Sequence, residues 1–131
     1  MASTARLSRE QCVTGSRTLA QVKAGSQILP PFGGRYVITG GWMRAVGADC
    51  ATATSVNIND TTATNVVGVA IAVAPLDDGV VIPFHNATNV TRTTFGLAFA
   101  YGKGLQIVDA TKGTLTGPTT VDFCVKYMKL S

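Results

Sequence analysis

Turn-forming residues punctuate this chain at short intervals from Arg35 onward: Gly40-Gly41, Asn59-Asp60, Asp77-Asp78-Gly79, Asn86 to Asn89, Gly102-Lys103-Gly104, and a stretch holding Gly113, Gly117 and Pro118. Between them, side chains alternate. Phe95, Leu97, Phe99 and Tyr101 interleave with Thr94, Gly96, Ala98 and Ala100. Val121, Phe123, Val125 and Tyr127 interleave with Asp122, Cys124, Lys126 and Met128. A period of two places each large set on one face of a strand. Short strands at regular turn spacing predict an all-β sandwich or jelly-roll-like body rather than alternating strands and helices.

The remaining pieces fit the same scheme. Arg35 to Val46 reads as one long strand in which Gly40-Gly41 makes a bulge or bend. Thr52 to Ile58 reads as a strand ending in a turn, and the β-branched run from Val66 to Pro75 as a buried strand. Asp77-Asp78-Gly79 then predicts a hairpin into Val80 to Phe84, and Leu105 to Val108 follows the glycine turn.

Ahead of Arg35 the pattern differs. Leu7, Val13, Leu19, Val22 and Ile28 are spaced too loosely for one amphipathic helix. Pro30-Pro31 and Gly33-Gly34 mark a boundary. The expectation is an extended N-terminal arm with its Pro/Gly boundary over residues 1–34, and a body over 35–131. Residues 1–44 hold six Lys or Arg against one Glu, a net +5, whereas the rest holds five against six, a net −1. Arg6, Arg9, Arg17 and Lys23, with Phe32 at the boundary, are therefore the candidate contacts of an arm that meets an acidic surface. No aromatic is interleaved with these cations, which disfavours nucleic acid as the partner.

At 131 residues the chain has the size of one domain with its own core. Hydrophobic residues make up 46% and charged residues only 14%, so much of the exterior is Thr, Ser, Gly, Asn and Ala, which suits burial against neighbours. The three cysteines, Cys12, Cys50 and Cys124, include no CxxC pair and read as reduced thiols made in a cytoplasm. No stretch reaches the roughly 18 apolar residues of a membrane helix.

Catalysis is not expected. The titratable groups are one His, one Glu and six scattered Asp. His85 has no recommended spacing to Cys50 or Cys124 as nucleophile, or to Asp78 or Asp122 as orienting carboxylate. Asp77-Asp78 offers too few oxygens for calcium, and the glycine pairs lack a phosphate-loop pattern. No cofactor or metal is expected. Phe84, His85 and Asn86, flanked by proline or loop residues, are candidates for a subunit interface.

Two stretches carry a resemblance: RYVITGGWMRAVGADCATATSVNIND from Arg35, and GKGLQIVDATKGTLTGPTTVDFCVKYMKLS from Gly102. Over about residues 17–131 the chain resembles small virion proteins of tailed bacteriophages. In several such phages a protein of this size is a capsid decoration, or cement, protein. The resemblance implies a non-enzymatic homotrimer on the virion surface, made in the host cytoplasm, that binds the major capsid protein and stabilises the shell. It also implies an arm laid over that shell, so that removal of residues 1–27 would leave a folded body. A tail-tip or fibre-associated receptor-binding domain is the alternative.

Overall fold

The computed structural model describes residues 6–62, 66–86, 88–111 and 113–131. In chain order the elements are β1 (Gln11–Thr18), α1 (Leu19–Ala24), β2 (Ser26–Leu29), β3 (Arg35–Val46), β4 (Ser55–Asp60), β5 (Val67–Ala72), β6 (Val81–Pro83), β7 (Val90–Arg92), β8 (Leu105–Asp109) and β9 (Thr120–Leu130). They form two antiparallel sheets, ordered β1-β9-β3-β6 and β2-β8-β4-β5-β7. The all-β sandwich expected from the turn spacing is the observed architecture.

The inner faces follow the alternation. Val121, Phe123, Val125 and Tyr127 of β9 are buried, as expected, and Ile58, Ile107 and Val69 meet across three strands of the second sheet. Phe84, Phe99, Leu76 and Leu115, from connecting segments, join the same core. Each such side chain contributes about 1.5–3 kcal/mol on burial.

The long strand β3 spans the expected residues and carries the expected irregularity. Its register on β9 shifts between Ile38 and Gly40. Because side chains alternate, one extra residue inverts every later position. Tyr36 and Ile38 point inward before the bulge, and Met43 and Ala45 after it. Trp42 and Arg44 consequently lie on the outer face.

Three expectations are corrected. First, residues 11–29 are extended over β1 and β2, but they are not separate from the body. β1 pairs along its whole length with β9, and β2 with β8, so the stretch supplies one edge strand to each sheet. Between them α1 crosses from one sheet to the other, with Val22 fully buried and a capping box joining Thr18 and Gln21. A chain beginning after residue 27 lacks β1, α1 and half of β2. The sandwich would be left open along one side.

Second, β5 and β6 do not form a hairpin, since they belong to different sheets. The turn at Asp77-Asp78-Gly79 lies on a crossover. Its residues tie back to the neighbouring loop, with Gly47 N donating to Asp78 Oδ1 at 2.9 Å and Asp78 N donating to Asp49 Oδ1 at 2.8 Å. A turn signal marks a reversal of direction; it does not say which sheet receives the next strand.

Third, the alternating run 94–101 is not a regular strand. β7 ends at Arg92, and the chain then follows β3 by contacts every third residue: Gly96 N to Ile38 O, Phe99 N to Tyr36 O, and Gly102 N to Gly34 O. Spacing of three, not two, puts Phe99 in the core and leaves Leu97 62% and Tyr101 64% exposed.

The turn after β8 is held by one carboxylate. Asp109 is fully buried and accepts backbone N–H groups from Thr111, Thr114 and Leu115, with the Thr111 hydroxyl beside them. Burial alone would raise its pKa, but these donors favour the anion and lower it on balance. Asp122 is lowered as well, chiefly by the hydrogen bond from Arg44. Groups with depressed folded-state values stabilise the fold above their unfolded pKa of about 3.9, and that contribution is lost as pH falls through the folded-state value. Urea midpoints are expected to stay level from neutral pH to about 5 and to fall steeply below about 4. Asp109→Asn, which presents an amide to two of the same donors, is expected to lower stability at pH 7 by about 2–3 kcal/mol and to flatten that acid limb.

Candidate protein-docking face

On the outer side of the four-stranded sheet the register lines up three rows. Ser16, Asp122, Arg44 and Val81 form one, Thr14, Cys124, Trp42 and Pro83 the next, and Cys12, Lys126 and Gly40 the third. Trp42 lies at the centre of the second row, half-buried, between Cys124 and Pro83. The Arg44 guanidinium lies over its ring at 5.7 Å from the centroid. The same guanidinium donates from Nη2 to Asp122 Oδ2 at 2.6 Å.

Of the six exposed large hydrophobic residues among those described, four border β3 on the side away from β9. Val80 and Val81 belong to or precede β6, which pairs with the second half of β3. Leu97 and Tyr101 belong to the segment along its first half. Between the two groups, at the bulge, His85 Nε2 lies 3.2 Å from Thr39 O, and the His85 ring meets Phe95 edge-on at 5.1 Å. Arg92 donates to the carbonyls of Phe84 and Asn86, and lies over Phe95.

The sequence candidates divide accordingly. His85, exposed, and Asn86, partly exposed, lie on this margin, whereas Phe84 is fully buried and serves the core. Phe32 is half-buried, its ring 4.7 Å from that of Tyr36 and capped by Lys129. Arg17 is tied inside the body: its Nε donates to Ser26 Oγ, Nη2 donates to Gln27 O, and the group covers Phe123. It clips β1 to β2. Arg6 and Arg9 are exposed next to the end of β9, where Arg6 N donates to Ser131 O, and Lys23 is partly covered in the last turn of α1. The cations therefore do not gather into one patch.

Among the described residues, the candidate cysteines and carboxylates do not gather around His85. Cys124 lies against Cys12, Asp122 pairs with Arg44, and Asp78 caps a loop. Cys50 is buried, and burial first, then the charges of Asp49 and Asp77, push its thiol up to about 12. Among the described residues there is no cavity, no cluster of three or more His, Cys, Asp or Glu able to hold a metal, and no helix long and apolar enough to cross a membrane.

Sequence reasoning misses Trp42 and Arg44, although the signal is present. Gly40-Gly41 reads as a bulge, and a bulge reverses the parity of every residue beyond it in the strand.

Fold and face together define a two-sheet antiparallel β-sandwich that presents an aromatic, arginine-backed outer surface. Comparison with protein-family models, curated proteins and solved structures found no match.

Proposed function

We propose that this chain is a structural protein of a tailed-bacteriophage virion, a decoration protein that binds the outer surface of the major capsid protein shell and stabilises it. The observation that supports binding is the outer face centred on Trp42. It combines a tryptophan and an arginine beside its ring, residue types on which protein interfaces concentrate their energy, with exposed valine and proline around them. The resemblance of the β3 and β8–β9 stretches to cement proteins supports the capsid as partner and a trimer as the working form. Three such faces held together bind far more tightly than one, because the second and third contacts form at high effective concentration.

The leading residues act differently in this reading from a free strap. With β1, α1 and β2 built into the sandwich, attachment falls to the outer sheet and its margin at His85 and Asn86. A count of copies in purified particles, by quantitative mass spectrometry with cryo-microscopy for position, tests the proposal. Hundreds of copies on the shell are expected. A handful at the tail would replace this reading with the receptor-binding one, and absence from particles would end both.

A further inference from the structure

β1 and β9 each place one cysteine on the outer side of the sheet. The register sets Cys12 opposite Lys126 and Cys124 opposite Thr14, so the two cysteines are diagonal neighbours. Diagonal residues of an antiparallel pair ordinarily stand about 7–8 Å apart. Here the two Sγ atoms are 2.6 Å apart, close to the roughly 2.05 Å of a disulfide bond. Cys12 is exposed while Cys124 is covered. The third cysteine, Cys50, lies buried with its hydrogen-bonded neighbours on another side of the fold, its N–H donating to Leu76 O.

We propose that Cys12 and Cys124 form a dithiol–disulfide site, which closes in oxidising surroundings and staples the edge strand β1 to the central strand β9. The inference rests on this strand pair alone and stands whether or not the outer face binds a capsid. A low-molecular-weight disulfide such as oxidised glutathione is the oxidant. The exposed Cys12 thiolate attacks one of its sulfurs, the glutathione S–S bond breaks, and one glutathione thiolate leaves and takes up a proton. Cys124, as thiolate, then attacks Sγ of Cys12 and expels the second glutathione thiolate, which is protonated in turn. Two protein thiols lose two electrons and two protons, and one glutathione disulfide becomes two thiols. Burial, with the hydrogen bond and charge of Cys12 next, pushes the Cys124 thiol up to about 11, which disfavours it as the thiol that starts the exchange; its place against Cys12 Sγ is what lets it resolve the mixed disulfide.

The bond would join positions near opposite ends of the chain, closing a loop that takes in most of the fold. Cross-links over such long loops restrict the unfolded chain most. It would also fasten a strand that has a partner on one side only.

The test uses the full reduced protein, incubated with oxidised glutathione and digested without reductant. The expected result is a linked peptide pair joining Cys12 to Cys124, a fall in free thiols from three to one, and a rise in melting temperature of at least about 5 °C. Cys12→Ser, a change at an exposed position, is expected to remove both the link and the rise. Persistent glutathione on Cys12 without cross-linking would overturn the proposal, as would a link through Cys50, or a cross-linked protein that melts where the reduced one does.

Discussion

Trp42→Ala is expected to weaken attachment to the particle by roughly 30- to 1,000-fold, the equivalent of about 2–4 kcal/mol for a central interface tryptophan. The fold should survive it. Trp42 points away from the core, which β3 fills with Met43 and Ala45 at the neighbouring positions. Truncation removes a surface ring and its contact with Arg44, a loss on the order of 1 kcal/mol. Trp42→Phe keeps an aromatic face under the guanidinium and should retain part of the affinity. Arg44→Ala should also weaken binding, with the added effect of removing the cation beside Asp122 and leaving it the Ser16 hydroxyl. The measurement is co-sedimentation of purified protein with particles stripped of it, alongside thermal melts of each variant. Trp42→Ala protein that melts normally and saturates the particles at wild-type concentrations would remove the outer sheet as the attachment surface.

How much of the molecule is readable from its sequence depends on whether a feature is local. Alternation in β9 is local, and its inward set is buried as expected. The span of β3 and its glycine bulge are equally plain, because two adjacent glycines inside an apolar run leave few other readings. The expectations that fail depend on distant partners. Whether the chain after Asp77-Asp78-Gly79 returns to the same sheet depends on the far wall of the sandwich, where Leu76 is the buried plug of a crossover. The run 94–101 has perfect alternation, yet it lies along an edge of β3 with contacts every third residue, and a sequence period cannot overrule that geometry. The leading segment reads as a loose arm since its apolar residues are divided among an edge strand whose half-covered positions are Val13, Gly15 and Arg17, a six-residue helix and a four-residue edge strand. Thr18 with Gln21 three residues on is the one visible sign of that helix. The docking face is legible in principle: carrying the parity change of the bulge forward by two residues brings Trp42 outside.

That parity change makes Gly41 a position where a single methyl group should do heavy damage. Gly41 stands at φ +135°, a conformation that side chains rarely adopt. A β-carbon built there collides with the backbone carbonyl oxygen of Cys124 on β9 and comes within 2.8 Å of the Phe84 ring, which is itself fully buried. The carbonyl is part of the ladder and the ring is enclosed, so neither has room to move away. Gly102 provides the comparison, since it has φ +77° and open space around it. Gly102→Ala is expected to cost only the conformational strain, about 1–2 kcal/mol. Gly41→Ala carries strain of that order plus an overpacking collision of about 1–3 kcal/mol, together about 2–5 kcal/mol by urea denaturation at neutral pH. A β3 that relieves the collision by giving up its bulge would have to turn Trp42 and Arg44 toward the core and Met43 toward solvent, so escape by that route is costlier than the collision. Equal losses at the two glycines would mean that β3 and β9 do not approach so closely at the bulge, and the outward placement of Trp42 would fall with the bulge that produces it.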